Sequence, residues 1–135
     1  MEGKNILVMH ICASNDGYGA VSENCEGIYA AGDDIKATKA DVYEAIRLIK
    51  KNLPEERWPE PIKGDFEIEW HFDAQAFLKY YDGILTNAAI ERLTGINRKQ
   101  LWNYANGIST PRAKAREKIN DALHGLGREL LSVRL

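Results

Sequence analysis

The spacing of apolar residues changes once along the chain, from a period near two to a period near 3.6, and that change predicts where one unit ends and another begins. "KNILVMHIC" is an almost unbroken apolar run closed by the turn-forming "SNDG", which predicts a largely buried strand near residues 5 to 12. "YGAVSE" and "GIYAAG" follow, separated by "NCEG", a reversal that predicts a hairpin and hence three antiparallel strands. Asp34 is placed to cap a helix, because its carboxylate accepts backbone N–H groups that a first turn leaves unpaired. Ile35, Val42, Ile46, Ile49 and Leu53 then recur on one helical face. "PEERWPEPIKG" ends that helix, since its three prolines lack an amide donor and restrict the residues before them. "DFEIEWHF" alternates Phe66, Ile68, Trp70 and Phe72 with Asp65, Glu67, Glu69 and His71, the pattern of a strand with one face buried. The first unit is therefore expected as β-β-β-α-β over residues 1–75, with one helix covering one sheet face.

From Ala74 onward no strand pattern occurs, so residues 76–135 are expected as an all-α unit and the whole chain as α+β. Thr86 is the expected cap of a helix with Ile90 and Leu93 on its inner face. Gly95 supplies a left-handed turn, and Asn97 caps the next helix. In that second helix Leu101, Tyr104 and Ala105 project one way, while Arg98, Lys99, Trp102, Asn103 and Asn106 project the other. The outward set carries what a DNA major groove requires: a long cation able to pair with guanine O6 and N7, and an amide able to pair with adenine N6 and N7. Arg98 and Asn103 are the expected base readers. Asn87, in the first turn of the preceding helix, reaches the DNA backbone or a flanking base. Asn106, Arg112 and Lys114 are expected on phosphates, setting register without reading sequence. Trp102 stacks on sugar and thymine methyl groups or covers the surface of its own domain. The competing reading of the entire stretch is a solvated polar face on a helical hairpin.

Charge adds a division that the net value of −2 conceals. Residues 1–85 hold nine Lys or Arg against sixteen Asp or Glu, a net of −7, whereas residues 86–135 hold nine against four, a net of +5. A basic half facing a polyanion and an acidic half facing something basic account for this asymmetry, the alternative being two solvated surfaces with a chance bias.

Two stretches resemble known families. "TNAAIERLTGINRKQLWNYANG" resembles, without a gap, the helix-turn-helix of phage-repressor-like (Xre/Cro type) and LacI-like regulators, and "TPRAKAREKINDALHGLG" resembles the helix that closes the Xre-type fold. Glu91 departs from that pattern, standing where those folds usually carry a small residue; its carboxylate either reaches out to solvent or pairs across the hairpin. "DGYGAVSENCEGIYAAGDDIKATKADVYEAIRLI" resembles the HicB antitoxin family, with "SENCEGIY" in place of that family's Pro-Asp-x-Pro-Gly-Cys loop. The resemblance implies a truncated ribonuclease-H-like sheet that covers a small basic RNA-cleaving toxin of the HicA type. It also implies a second domain that binds double-stranded operator DNA and represses the operon encoding both, Thr86 and Asn97 lying in the matching motif. The alternative is a stand-alone regulator whose first domain dimerises or senses a small ligand.

Repressors of this type act on paired half-sites, which implies a homo-oligomer, dimer or tetramer. The tail "LGRELLSVRL" offers Leu126, Leu130, Val133 and Leu135 as a dimer contact. A nuclease needs carboxylates converging on divalent metal, but Asp16, Asp33, Asp34 and Asp65 are accounted for by turn, capping and strand-start positions, so no enzyme is expected. His10, Cys12, Cys25 and His71 lack zinc-site spacing, and no metal or other cofactor is expected. With neither a signal peptide pattern nor a membrane-length apolar run, the expected location is the cytoplasm, without membrane contact.

Overall fold

The computed structural model describes residues 3–135. Its elements are β1 (Asn5–Ser14), β2 (Gly17–Ser22), β3 (Tyr29–Gly32), α1 (Ile35–Asn52), β4 (Phe66–Phe72), α2 (Ala74–Tyr81), α3 (Asn87–Thr94), α4 (Arg98–Ala105) and α5 (Ala113–Leu131). The fold is α+β, as the apolar spacing predicts: a mixed four-stranded sheet in the order β3-β2-β1-β4, followed by an all-helical region. β4 runs parallel to β1, and the other neighbours are antiparallel. The chain packs as two compact units, Met1–Ala76 and Phe77–Leu135, divided inside α2. None of the helices is long and apolar enough to cross a membrane, among the described residues.

In the first unit, register builds the core. Leu7, Met9 and Ile11 of β1 lie beside Ile68, Trp70 and Phe72 of β4, and Ile11 pairs on its other side with Ala20. α1 lays Ile35, Thr38, Val42 and Ile46 on this face, and Leu7, Met9, Ile11 and Val42 are fully buried. The alternate residues of β1 are not covered: Ile6 is 46% exposed, Cys12 is exposed, and Val8 and His10 are half-buried. The apolar run predicts a largely buried strand, and this is corrected: Leu7, Met9 and Ile11 are buried on one face, and the alternate residues are not. One helix spans only one side of a sheet, and among the described residues of the first unit no helix lies over the other.

Local bonds fix where α1 begins and how the edges are closed. Asp34 Oδ1 accepts the Ala37 amide at 2.7 Å, the cap expected there, and Thr38 Oγ1 donates to Asp34 O at 2.8 Å. A Cβ at Gly32 would stand 2.6 Å from the Thr38 nitrogen, so this glycine lets α1 close onto the end of β3. On β3, an edge strand, the Ala31 amide donates to Asp41 Oδ2 at 3.0 Å, which occupies a backbone donor that would otherwise invite another strand. Asn24 extends the β1 ladder with its side chain, accepting from Val8 N at 2.9 Å and donating to Ile6 O at 2.8 Å. At the far end Trp58 Nε1 donates to Leu53 O at 3.0 Å, and Lys50 lies over the Trp58 and Phe66 rings.

In the second unit Leu78, Ile90, Leu101, Tyr104 and Ile119 are the buried apolar side chains, and α3 packs against both α4 and α5. α5 ends at Leu131, so the expected helical stripe does not continue to Val133 and Leu135, which lie beyond the helix and are exposed. Leu126 is half-buried, and Leu130 remains exposed on the last turn.

Gly32→Ala is expected to destabilise the protein by about 1–3 kcal/mol, because backbone rather than a flexible side chain must move. Gly3→Ala, where a Cβ meets nothing within 4 Å, is the control. Urea unfolding followed by circular dichroism measures the difference.

Candidate nucleic-acid interface

α3 and α4 are eight residues each, so their ends decide their geometry. Thr86 Oγ1 accepts the Ala89 amide at 3.1 Å and starts α3. Gly95 ends it at φ 79, a left-handed backbone with little cost only for glycine, and its amide reaches Glu91 O at 2.7 Å. Asn97 Oδ1 then accepts the Lys99 amide at 2.8 Å and starts α4. Leu93, expected on the inner face, is instead exposed. Thr94, one turn on from Ile90, takes the inward position, its hydroxyl donating to Ile90 O at 2.7 Å and accepting from Ile96 N at 3.1 Å.

Glu91 pairs across the hairpin. Its Oε2 accepts the backbone amide of Arg98 at 2.9 Å, while Oε1 accepts Arg98 Nε at 3.0 Å and lies 2.9 Å from Nη2. These bonds hold the Glu91 carboxyl below the usual glutamate range, the Arg98 backbone amide contributing most and its guanidinium next. The pairing was legible only as an unusual residue at a usually small position, because its seven-residue separation lies outside the i, i+3 and i, i+4 pattern.

Leu101 and Tyr104 face inward on α4. Arg98, Lys99, Trp102 and Asn106 are exposed, Trp102 at 51%, and Asn103 is half-buried. Thr86 and Asn87 stand at the start of α3, with Asn87 half-buried, and Arg112 and Lys114 stand exposed at the start of α5. Several of these side chains already have partners: Thr86 and Asn97 are engaged as caps, Asn106 Nδ2 donates to Trp102 O at 2.8 Å, and Arg98 is held by Glu91. Gln100 Nε2 donates to Ser109 Oγ at 3.3 Å, and Arg116 Nη1 to Pro111 O at 2.8 Å, so the loop between α4 and α5 is tied at both ends. The result is a surface of cations and amides on a braced two-helix scaffold, chemically suited to phosphates and base edges.

The first unit offers a different surface. On the open sheet face Ile6, Val21 (44% exposed) and Tyr29 (70% exposed) stand among Glu23, Glu67 and Glu69. Glu69 Oε1 lies 2.6 Å from His71 Nε2, Glu23 Oε1 lies 3.7 Å from His10 Nε2, and the two imidazoles are 5.2 Å apart between centroids. Glu67 pairs with Lys4 at 3.3 Å. No group of three or more His, Cys, Asp or Glu is placed to hold a metal, among the described residues. Burial raises both cysteine thiols above their ordinary value, with Asp73 adding to the effect at Cys12, so neither is an activated thiolate.

No family model, curated protein or solved structure matches the chain.

The Glu91 carboxyl is expected to titrate below the ordinary glutamate value. Its contribution to stability is present above that ordinary value and is lost as the pH falls through the depressed one. Carboxyl NMR titration of wild type and Arg98→Ala measures this, and in the variant the Glu91 midpoint moves up only part of the way, because the backbone amide of residue 98 remains.

Proposed function

We propose that the protein is a cytoplasmic antitoxin that binds operator DNA through α4 and masks a small basic RNA-cleaving protein with its first unit. The observation that carries the DNA half is the outward face of α4, where Arg98, Lys99, Trp102 and Asn103 project from a helix whose start is fixed by Asn97 and Glu91. The first turn of α4 holds no acidic residue of its own, the one carboxylate at that end being Glu91 of α3, and the cations at the start of α5 add phosphate contacts. Asn103 and Arg98 read bases, and Lys99, Arg112 and Lys114 hold phosphates. Thr86 and Asn97 position the helices through their caps, and Asn106 closes α4; with its amide spent on Trp102 O, it is a weaker phosphate ligand than the sequence suggests.

The partner half is supported by the open sheet face. Apolar side chains at its centre gain from being covered, and carboxylates around them favour a cationic partner and speed the encounter. The same carboxylates disfavour a second copy of the chain there, since like charges would be brought together. This sets the antitoxin reading above that of a regulator whose first unit only dimerises. The likeness to HicB-type antitoxins in residues 5–53 points the same way, and a homodimer supplies the two reading helices that paired half-sites need.

For DNA, Asn103→Ala and Arg98→Ala are each expected to cost on the order of 1–3 kcal/mol on the specific site, whereas Arg112→Ala weakens all sequences alike. Fluorescence anisotropy on DNA from upstream of the coding sequence and on scrambled duplex measures both, and equal losses on the two duplexes for Asn103→Ala would remove it as a reader. For the partner, co-expression with the neighbouring small basic protein is expected to yield a complex and rescue growth. The double substitution Glu67→Lys with Glu69→Lys is expected to abolish both without changing DNA affinity. Rescue and complex formation by that variant would place the partner elsewhere, and a wild-type protein forming no complex would favour the regulator reading.

A further inference from the structure

The edge by which Glu91 grips Arg98 determines what Arg98 has left to offer. Glu91 Oε1 occupies Nε and the adjacent side of Nη2, and Oε2 is anchored on the backbone amide of the same arginine. Nη1 and the outer hydrogen of Nη2 remain, and these form the end of the guanidinium that matches guanine O6 and N7 in the major groove. Arg98 is the first residue of α4, the end of a reading helix that comes closest to base edges, and its side chain is 63% exposed.

We infer that Glu91 is a specificity-determining positioning residue, holding Arg98 so that its outer edge reads one guanine in each half-site. The inference rests on the DNA-binding reading of α4. A phosphate contact is the other use of an arginine at a helix start, and the pair opposes it. The carboxylate cancels the charge that a phosphate would seek, occupies the Nε side by which a guanidinium also forks onto oxyanions, and repels the anion itself. A guanine edge is neutral, presents two acceptors, and suffers none of these penalties. Lys99, the neighbouring cation, has no such carboxylate partner among the described residues and has a flexible stem, which suits it to phosphate instead. Because Glu91 fixes the guanidinium before DNA arrives, the arginine is already ordered when it meets a base, and the preference for guanine is sharpened.

The test is selection from a randomised duplex library by the full chain, followed by affinity measurements at several salt concentrations for wild type, Glu91→Gln and Arg98→Lys. Wild type is expected to select a G·C pair at one fixed position per half-site, with discrimination on the order of 10- to 100-fold against other pairs. In Glu91→Gln that discrimination is expected to fall below about 5-fold at that position alone. Affinity for random duplex is retained or rises, with a salt slope steeper by roughly 0.9 as the freed arginine reaches a phosphate. A residue serving only to hold the fold would instead weaken binding to every sequence. Arg98→Lys keeps the backbone amide that anchors Glu91 but loses the planar fork, so it is expected to lose the guanine preference while remaining folded, with only a small fall in melting temperature. It decides the matter if Glu91→Gln proves unstable. Unaltered base preference in either folded variant would overturn the inference and leave DNA binding standing. A wild-type chain that retains no duplex at all would overturn both.

Discussion

One carboxylate shared between two short helices is the constraint on which the second unit's outward surface depends. Helices of eight residues are too short to persist in water on their own, so α3 and α4 hold their shape through their ends and their packing. Thr86 and Asn97 begin them, Gly95 turns the chain between them, and Glu91 binds the backbone and the side chain of Arg98 together. Glu91 is a strut across the turn, joining the two helices by charge-assisted bonds and tying the aim of Arg98 to the geometry of the turn.

The first unit obeys a different constraint. A single helix, α1, meets a four-stranded sheet and covers one face, which leaves the apolar alternate residues of β1 and β2 uncovered. Asp41 occupies a backbone donor on the edge strand β3, and Asn24 takes up backbone groups of β1 beyond the end of β2. Glu23, Glu67 and Glu69 lie on the uncovered face, and under the proposed reading they favour a basic partner there while the cations of the second unit face DNA.

Much of this was legible in the sequence because local chemistry dictated it. The alternation in "DFEIEWHF", the cap at Asp34, the turn at Gly95 and the caps at Thr86 and Asn97 each follow from one residue type at one place, and each is found. What escaped depended on tertiary packing. The run in β1 does not reveal which of its apolar residues face away from the single covering helix. Leu93 and Thr94 are both plausible inward residues of α3 until the hydroxyl finds Ile90 O and Ile96 N. Val133 and Leu135 keep a helical spacing after the helix has stopped. The Glu91 to Arg98 pair spans a turn, so no helical periodicity points to it. Of the site, the residue types on the outward face of α4 could be read in advance, but which of their polar atoms were already engaged could not.

The central claim is that the exposed face of α4 is the surface that meets DNA. Amide and arginine side-chain chemical-shift mapping by NMR, with an operator duplex added to the full chain, tests it most directly. The account predicts that the largest changes fall on residues 97–106 and on the Arg98 Nε resonance, with smaller ones at the starts of α3 and α5 and none on the open face of the sheet. Changes centred on the sheet, or an α4 whose resonances stay fixed while the duplex is bound, would contradict it.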